Sequence, residues 1–265
     1  MKSGIPADVV PGAETIDLQE GNSRGILLLH GFGDTPQTLR LLAMDLHSAG
    51  YDVRAPLLPG HGRTIESFVK SRHDDWLSFA RQELSAMRER HEMVALGGLS
   101  MGGALAAILA AEDKDINALA MLSPYVDMPW THKIAASFYW AWGADRVRKS
   151  NSPGSIRDPE ERSKNVGYGY YTPRLLRELA AIGRAARLAL PRIEAPTLIV
   201  QSRTDPRIKS EVAERALASL GSSRKKLIWV EGAGHIITVD YGREEVFREV
   251  RIWMNSHMPR ALATA

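Results

Sequence analysis

A serine between two glycines is the first residue whose setting could do chemistry. Residues 98–102 read Gly-Leu-Ser-Met-Gly, after an apolar run typical of a strand and before an alanine-rich run typical of a helix. A sharp strand-to-helix turn needs strained backbone angles and close neighbours, which glycine tolerates. The pattern therefore predicts Ser100 as a nucleophile, and the alternative is a serine that only caps the helix in a glycine-rich turn.

A serine nucleophile at neutral pH needs a base beside it, almost always a histidine that a carboxylate holds in one tautomer. The chain has eight histidines. His235 alone directly follows a late predicted strand, at 225–231, through a small loop of glycine and alanine. We predict His235 as the base, against the alternative of a solvated loop histidine.

The carboxylate that orients the base should lie between the serine and the histidine in the chain. Asp205 follows the predicted strand 197–201, at the sheet edge where the sites of α/β proteins gather. Asp127 also follows a strand and satisfies the order, so it remains the second candidate. Asp240 lies beyond His235 and violates the order.

Attack on a carbonyl produces an oxyanion that hydrogen-bond donors must stabilise. The N–H of Met101 is one expected donor, because the helix that begins there directs its positive end to the serine. A second apolar strand runs into His-Gly-Phe-Gly at 30–33, where glycines allow backbone amides to approach a ligand. We predict the N–H of Phe32 as the second donor; a plain loop, with His30 packed locally, is the alternative.

The elements that must position these residues alternate between short strand-like runs and longer helical runs. This alternation indicates parallel strands joined by crossover helices, with Thr35 and Ser100 as helix caps. The predicted strands are 14–20, 25–30, 51–55, 93–98, 118–122, 197–201 and 225–231. The predicted helices are 37–49, 74–89, 101–111, 172–190, 209–220 and 241–255.

The alternation stops after Pro124, so residues 128–175 are predicted to be a cap inserted into a core of residues 1–127 and 176–265. Half of the chain's aromatic residues lie between positions 125 and 171. Such a concentration could line an acyl pocket or contact lipid aggregates transiently, and it could equally pin the cap onto the core. The candidate substrate-binding residues are Phe32, Tyr125, Trp130 and Trp142.

Composition narrows the classes of function. A chain of 265 residues with 44% hydrophobic and 25% charged residues is typical of one globular domain. The net charge is only +3 and the basic residues are scattered along the chain, which argues against a nucleic-acid partner. The absence of cysteine excludes disulfides and zinc-thiolate sites. No apolar run reaches the roughly 20 residues of a membrane span, and none follows the start of the chain as in a signal peptide. We expect a cytoplasmic protein without metal or cofactor.

Taken in chain order, these motifs resemble the α/β-hydrolase family, in particular its bacterial carboxylesterase and monoacylglycerol lipase group. The resemblance rests on His30-Gly31-Phe32-Gly33, Gly60-His61-Gly62, Asp75-Trp76, Gly98-Leu99-Ser100-Met101-Gly102-Gly103, Asp205 and Gly234-His235. It implies an eight-stranded, mostly parallel sheet with helices on both faces, a small cap, and hydrolysis through an acyl-serine intermediate.

The expected reaction is hydrolysis of carboxylic esters with short to medium acyl chains, and monoacylglycerols are candidate substrates. The same triad serves carbon–carbon bond hydrolases, thioesterases, amidases and cofactor-free haloperoxidases, because the fold does not determine the reaction. A receptor that binds a ligand without turnover is the non-enzymatic alternative. The intact set of serine, acid and histidine argues against that reading.

Overall fold

The computed structural model describes residues 8–127, 137–150 and 154–260. Seven strands form the main sheet within these ranges: β1 Ile16–Leu18, β2 Arg24–Leu29, β3 Asp52–Ala55, β4 Met93–Leu99, β5 Ala118–Leu122, β8 Thr197–Ser202 and β9 Lys225–Val230. Their order across the sheet is β1-β3-β2-β4-β5-β8-β9, and β6 and β7 form a separate pair described below. Strand β1 runs antiparallel to β3, and every other neighbouring pair is parallel.

Helices connect these strands and cover both faces of the sheet. They are α1 Arg40–Ser48, α2 Ile65–Lys70, α3 His73–Arg90, α4 Met101–Glu112, α5 Pro159–Lys164, α6 Pro173–Ala189, α7 Ser210–Ser219 and α8 Arg243–His257. Two 3₁₀ turns, Pro36–Leu39 and Leu190–Arg192, adjoin α1 and α6. Among the residues described, every helix is too short or too polar to cross a membrane.

The central strands are apolar on both sides because helices cover both. In β2, Leu27 and Leu29 belong to the core beneath α3, α4 and α6, whereas Ile26 and Leu28 belong to the core beneath α1 and α8. All four side chains are buried. This alternation follows from the two-residue period of a strand, and it explains why the central strands β2, β4 and β5 are nearly continuous apolar runs in the sequence.

The predicted α/β-hydrolase fold is confirmed, but the count of eight strands is wrong for the described residues. Each of the seven runs that the sequence pattern predicts forms a strand of the main sheet. Two further strands, β6 Arg148–Lys149 and β7 Tyr170–Tyr171, pair with each other outside that sheet. The number eight is what the family resemblance implies, whereas the sequence pattern itself predicts seven strands.

Helices α2 and α5 were not predicted, because six residues are too few to show a helical period. Local capping accounts for both. The Thr64 side chain accepts a hydrogen bond from Ser67 N at the start of α2. Asp158 accepts hydrogen bonds from the amides of Glu160 and Glu161 at the start of α5, where proline is the first residue.

Candidate active site

Ser100 occupies the turn between β4 and α4 with a strained backbone, at φ 56° and ψ −115°. A β-carbon on Gly98 would lie 2.2 Å from the carbonyl oxygen of Gly102. A β-carbon on Gly102 would lie 1.9 Å from the carbonyl oxygen of Leu29. Because these contacts are with backbone atoms, no side-chain movement could relieve them. The two glycines therefore allow β4, α4 and β2 to approach closely enough to hold the serine on its turn.

The three predicted triad residues lie together at the carboxyl edge of the sheet. His235 Nε2 lies 2.9 Å from Ser100 Oγ, and His235 Nδ1 lies 2.8 Å from Asp205 Oδ2. The three residues follow β4, β8 and β9, whose carboxyl ends share one edge because the strands are parallel. The arrangement can carry a proton from the serine hydroxyl to the imidazole while the carboxylate holds the ring.

Asp205 is held as an ionised group. Its Oδ1 accepts hydrogen bonds from the amides of Arg207 and Ile208 at 2.7 and 3.0 Å, and its Oδ2 accepts one from Gln201 Nε2 at 2.9 Å. Burial alone would raise the pKa of Asp205, but the charge of nearby His235 and these backbone amides hold that pKa below its ordinary value. A carboxylate of this kind can stabilise an imidazolium that forms beside it.

Asp127, the second candidate for the acid, pairs with two arginines. Its two carboxylate oxygens pair with Arg187 at 3.0 Å and with Arg215 at 3.3 Å. His235 Nδ1 faces Asp205 instead.

The two predicted oxyanion donors lie on segments that come close to the serine. Met101 is the first residue of α4, where an amide has no acceptor within the helix. The loop that carries Phe32 passes close to Ser100, since a β-carbon on Gly31 would lie 3.5 Å from Ser100 Cβ. The Phe32 ring packs 5.1 Å from Phe68, centre to centre, which fixes the loop against the core.

Two buried histidines, His30 and His61, pack at the base of this loop. His30 Nε2 accepts the amide of Leu58 at 3.1 Å, and burial together with nearby His61 holds the pKa of His30 well below its ordinary value. Burial lowers the pKa of His61 to about 4. Both rings are therefore neutral at pH 7 and serve as packing and hydrogen-bonding groups.

Asp34, also in the oxyanion loop, was missed because an aspartate after glycine in a loop carries no signal of burial. Its carboxylate accepts hydrogen bonds from Thr35 N and Thr38 Oγ1, both at 2.9 Å. Burial raises the pKa of Asp34 to about 6, despite these two bonds and the charge of Arg207. Asp34 therefore holds the start of the 3₁₀ turn Pro36–Leu39, and burial makes the ionisation of its carboxyl group unfavourable.

The predicted substrate-binding residues differ in how far they are buried. The amide of Tyr125 donates to the carbonyl oxygen of Ser100 at 3.0 Å, and its hydroxyl is buried without a hydrogen-bond partner among the described residues. Trp142 is 54% exposed. Trp130 lies outside the described residues. Within the described ranges, no group of three histidine, aspartate or glutamate side chains could hold a metal ion.

Comparison with known proteins places this chain in a family. Residues 21–241 match the family Hydrolase_4, described as serine aminopeptidase, S33. The chain belongs to this family of α/β-hydrolases. It is 31% identical over 234 residues to a thermostable monoacylglycerol lipase of Bacillus sp. strain H-257, which covers 88% of this chain and 90% of that protein.

Two further similar proteins support the assignment to this family. A carboxylesterase of Bacillus subtilis strain 168 is 27% identical, over 87% of this chain and 92% of its own. A solved structure from work on LipS and LipT, two metagenome-derived lipolytic enzymes, aligns with a TM-score of 0.86 and 28% identity. That alignment covers 94% of this chain and 100% of the other.

Proposed function

We propose that this α/β-hydrolase cleaves carboxylic esters with short to medium acyl chains, monoacylglycerols among them, through an acyl intermediate on Ser100. The class of carboxylic ester hydrolase follows from the relatives, which are a monoacylglycerol lipase and a carboxylesterase. The observation that carries the assignment to Ser100 is its 2.9 Å contact with His235, which in turn contacts Asp205.

The proposed reaction uses backbone and side-chain groups alone. His235 takes the proton of Ser100 as the serine oxygen attacks the ester carbonyl, and Asp205 stabilises the imidazolium. The amides of Phe32 and Met101 donate to the oxyanion. His235 then gives its proton to the departing alcohol, and water repeats the sequence to release the acid.

We also propose that residues 128–175 act as a cap that contacts lipid aggregates. Exposed large apolar side chains are concentrated in the described part of this segment: Phe138, Trp140, Trp142, Val147 and Tyr170 are between 45% and 67% exposed. Tryptophan and tyrosine suit the boundary between water and lipid because each combines an apolar ring with a polar group. The cap boundaries and the cytoplasmic location remain predictions.

The first test compares release of p-nitrophenol from acetate, butyrate, octanoate and palmitate esters, with monoacylglycerol hydrolysis in parallel. The wild type should prefer esters longer than acetate, and Ser100→Ala should abolish turnover. Equal activity in Ser100→Ala would refute the nucleophile. A rate that falls steeply with any chain longer than acetyl would refute the acyl preference, and release from p-nitroanilides alone would favour amide hydrolysis.

A matched pair of variants tests the acid. Asp205→Asn should lower kcat by about 10⁴-fold, because an amide can no longer hold His235 in the required tautomer. Asp127→Asn removes the other candidate carboxylate and should leave kcat within a few-fold of the wild type. The reverse result would make Asp127 the acid.

A further inference from the structure

Asp240 is a fully buried carboxylate that the proposed reaction does not use. Four backbone amides donate to it. Its Oδ2 accepts Gly234 N at 2.7 Å and Arg157 N at 2.8 Å, while its Oδ1 accepts Asp158 N at 2.9 Å and Tyr241 N at 2.8 Å. Two of these donors, Arg157 and Asp158, are distant in the chain. Asp240 therefore joins two separate segments at one point.

The distant segment is residues 155–158, which we call the strap, and it lies directly on the loop that carries the catalytic histidine. The carbonyl oxygen of Ser155 accepts both His235 N and Ile236 N at 2.9 Å. A β-carbon on Gly234 would lie 2.0 Å from the carbonyl oxygen of Gly154. These contacts hold the backbone of the histidine loop against the strap.

The strap also reaches the acid loop. Arg207 Nε donates to Ser155 Oγ at 2.7 Å, and the amide of the same Arg207 donates to Asp205 at 2.7 Å. Arg157 donates through its guanidinium to the carbonyl oxygens of Gly232 and Thr204 at 3.3 and 3.1 Å. The strap therefore bonds to the loops of both His235 and Asp205.

We propose that Asp240 is a positioning residue for catalysis, which locks the His235 loop onto the strap and so fixes the imidazole between Ser100 and Asp205. The inference rests on the proposed triad. Asp240 acts through Gly234, the residue before His235, and through the amides of Arg157 and Asp158 in the strap. A segment between β5 and α6 thereby becomes part of the catalytic framework.

The chemistry requires a carboxylate at this point. Two carboxylate oxygens can accept four N–H donors, whereas an asparagine side chain offers one oxygen and turns an NH₂ group toward two of the donors. Asp240→Asn should therefore shift the loop at His235. A misplacement of about 1 Å in a catalytic group costs about 10²-fold in rate, so we expect kcat to fall by about that factor with KM little changed.

The experiment separates positioning from folding by counting active sites. Wild type, Asp240→Asn and Glu249→Gln are each titrated with a fluorophosphonate, and p-nitrophenyl butyrate turnover is expressed per titrated site. Glu249 is a matched control because it is also a buried carboxylate. It lies on α8 and pairs at 2.9 Å with Lys226 near the start of β9, at the opposite end of that strand from the loop of His235. Both variants should lose thermal stability, but only Asp240→Asn should lose kcat per site and label more slowly.

The outcomes distinguish the inference from the function on which it rests. A wild type that neither labels nor turns over esters would overturn the triad itself. A wild type that does both, beside an Asp240→Asn enzyme with unchanged kcat per titrated site, would overturn the positioning role alone and leave Asp240 a structural residue.

Hydrogen exchange in the wild type provides a second measurement if Asp240→Asn does not fold. Peptides that cover the strap and residues 232–240 should be protected and should open together, because they share the carboxylate of Asp240. A strap that exchanges freely while the histidine loop stays protected would overturn the proposal.

Discussion

Replacing His61 with phenylalanine should change the pH dependence of stability in a calculable way. His61 is fully buried, with its ring centre 4.8 Å from Phe68 and 5.6 Å from Trp76. Its Nδ1 contacts the carbonyl oxygen of Pro59 at 3.0 Å, and its Nε2 is buried without a partner among the described residues. The site therefore resembles one for an aromatic hydrocarbon ring more than one for a charged imidazole.

The magnitude follows from the two pKa values. The unfolded chain takes up a proton on His61 as the pH falls through 6.5, whereas burial holds the folded pKa at about 4. Because protons then favour the unfolded state, this residue costs the wild type stability as the pH falls. Between pH 7 and pH 5 the loss amounts to about 2 kcal/mol.

At pH 7 the variant should differ from the wild type by no more than about 1 kcal/mol. It loses the contact with the Pro59 carbonyl, but that oxygen still accepts Trp76 Nε1 at 3.2 Å, and the unpartnered nitrogen is removed. The difference in free energy of unfolding should therefore shift by about 2 kcal/mol in favour of His61→Phe on going to pH 5.

Urea denaturation of both proteins at pH 7 and pH 5 measures this shift directly. The neighbouring His30 titrates in both proteins, so its own contribution largely cancels in the difference. A difference in free energy of unfolding between variant and wild type that does not change with pH would refute the reasoning, because it would mean that the folded protein accommodates a proton on His61.

Three other substitutions test the packing and charge of the fold. Gly102→Ala should destabilise the protein by about 3 kcal/mol or more in urea denaturation, because its β-carbon would overlap the carbonyl oxygen of Leu29. The free energy of unfolding of Asp34→Asn, relative to that of the wild type, should rise by about 2 kcal/mol between pH 4 and pH 6. The wild-type carboxyl ionises at about 6 when folded and near 3.8 when unfolded, so its ionisation destabilises the fold as pH rises; an unchanged gap would contradict this. Asp52→Ala should lower the free energy of unfolding, measured by calorimetry, by about 3 to 5 kcal/mol. The substitution leaves the buried His91 ring and the amides of residues 20–22 without the carboxylate that accepts their hydrogen bonds. A loss below about 1 kcal/mol would show that water replaces the carboxylate.

The strands and long helices were predictable because their signal is local. The central strands β2, β4 and β5 are short, mainly apolar runs, and α3 and α6 repeat their buried residues at helical spacing. The prediction of residues 37–49 as one helix was less accurate, since a 3₁₀ turn over Pro36–Leu39 precedes α1. Proline at its first position fits such a tight turn as well as a regular helix, and the sequence pattern does not separate the two.

The candidate site was predictable where short spacing carries the chemistry. Ser100 stands between glycines on a strand-to-helix turn, and His235 follows a late strand, so chain order alone narrows the choice of acid. The structure brings Ser100, Asp205 and His235 together, and their catalytic roles remain predictions. Asp34 and Asp240 were beyond reach, because their burial depends on segments that fold over them from elsewhere in the chain.

The unfavourable features of this fold gather around one edge of the sheet. Ser100 has a positive φ, Asp34 is ionised at a cost, and His61 buries an unpartnered nitrogen, all close to the loop that would hold an oxyanion. A core chosen for stability alone would use apolar residues at the last two positions. Polar side chains that are neutral or hydrogen-bonded can fix backbone amides in a dry environment, where donors aimed at a developing negative charge are most effective. The same substitutions that relieve the cost, at Asp34 and His61, should therefore loosen the amide of Phe32 and lower kcat while they raise stability in their respective pH ranges.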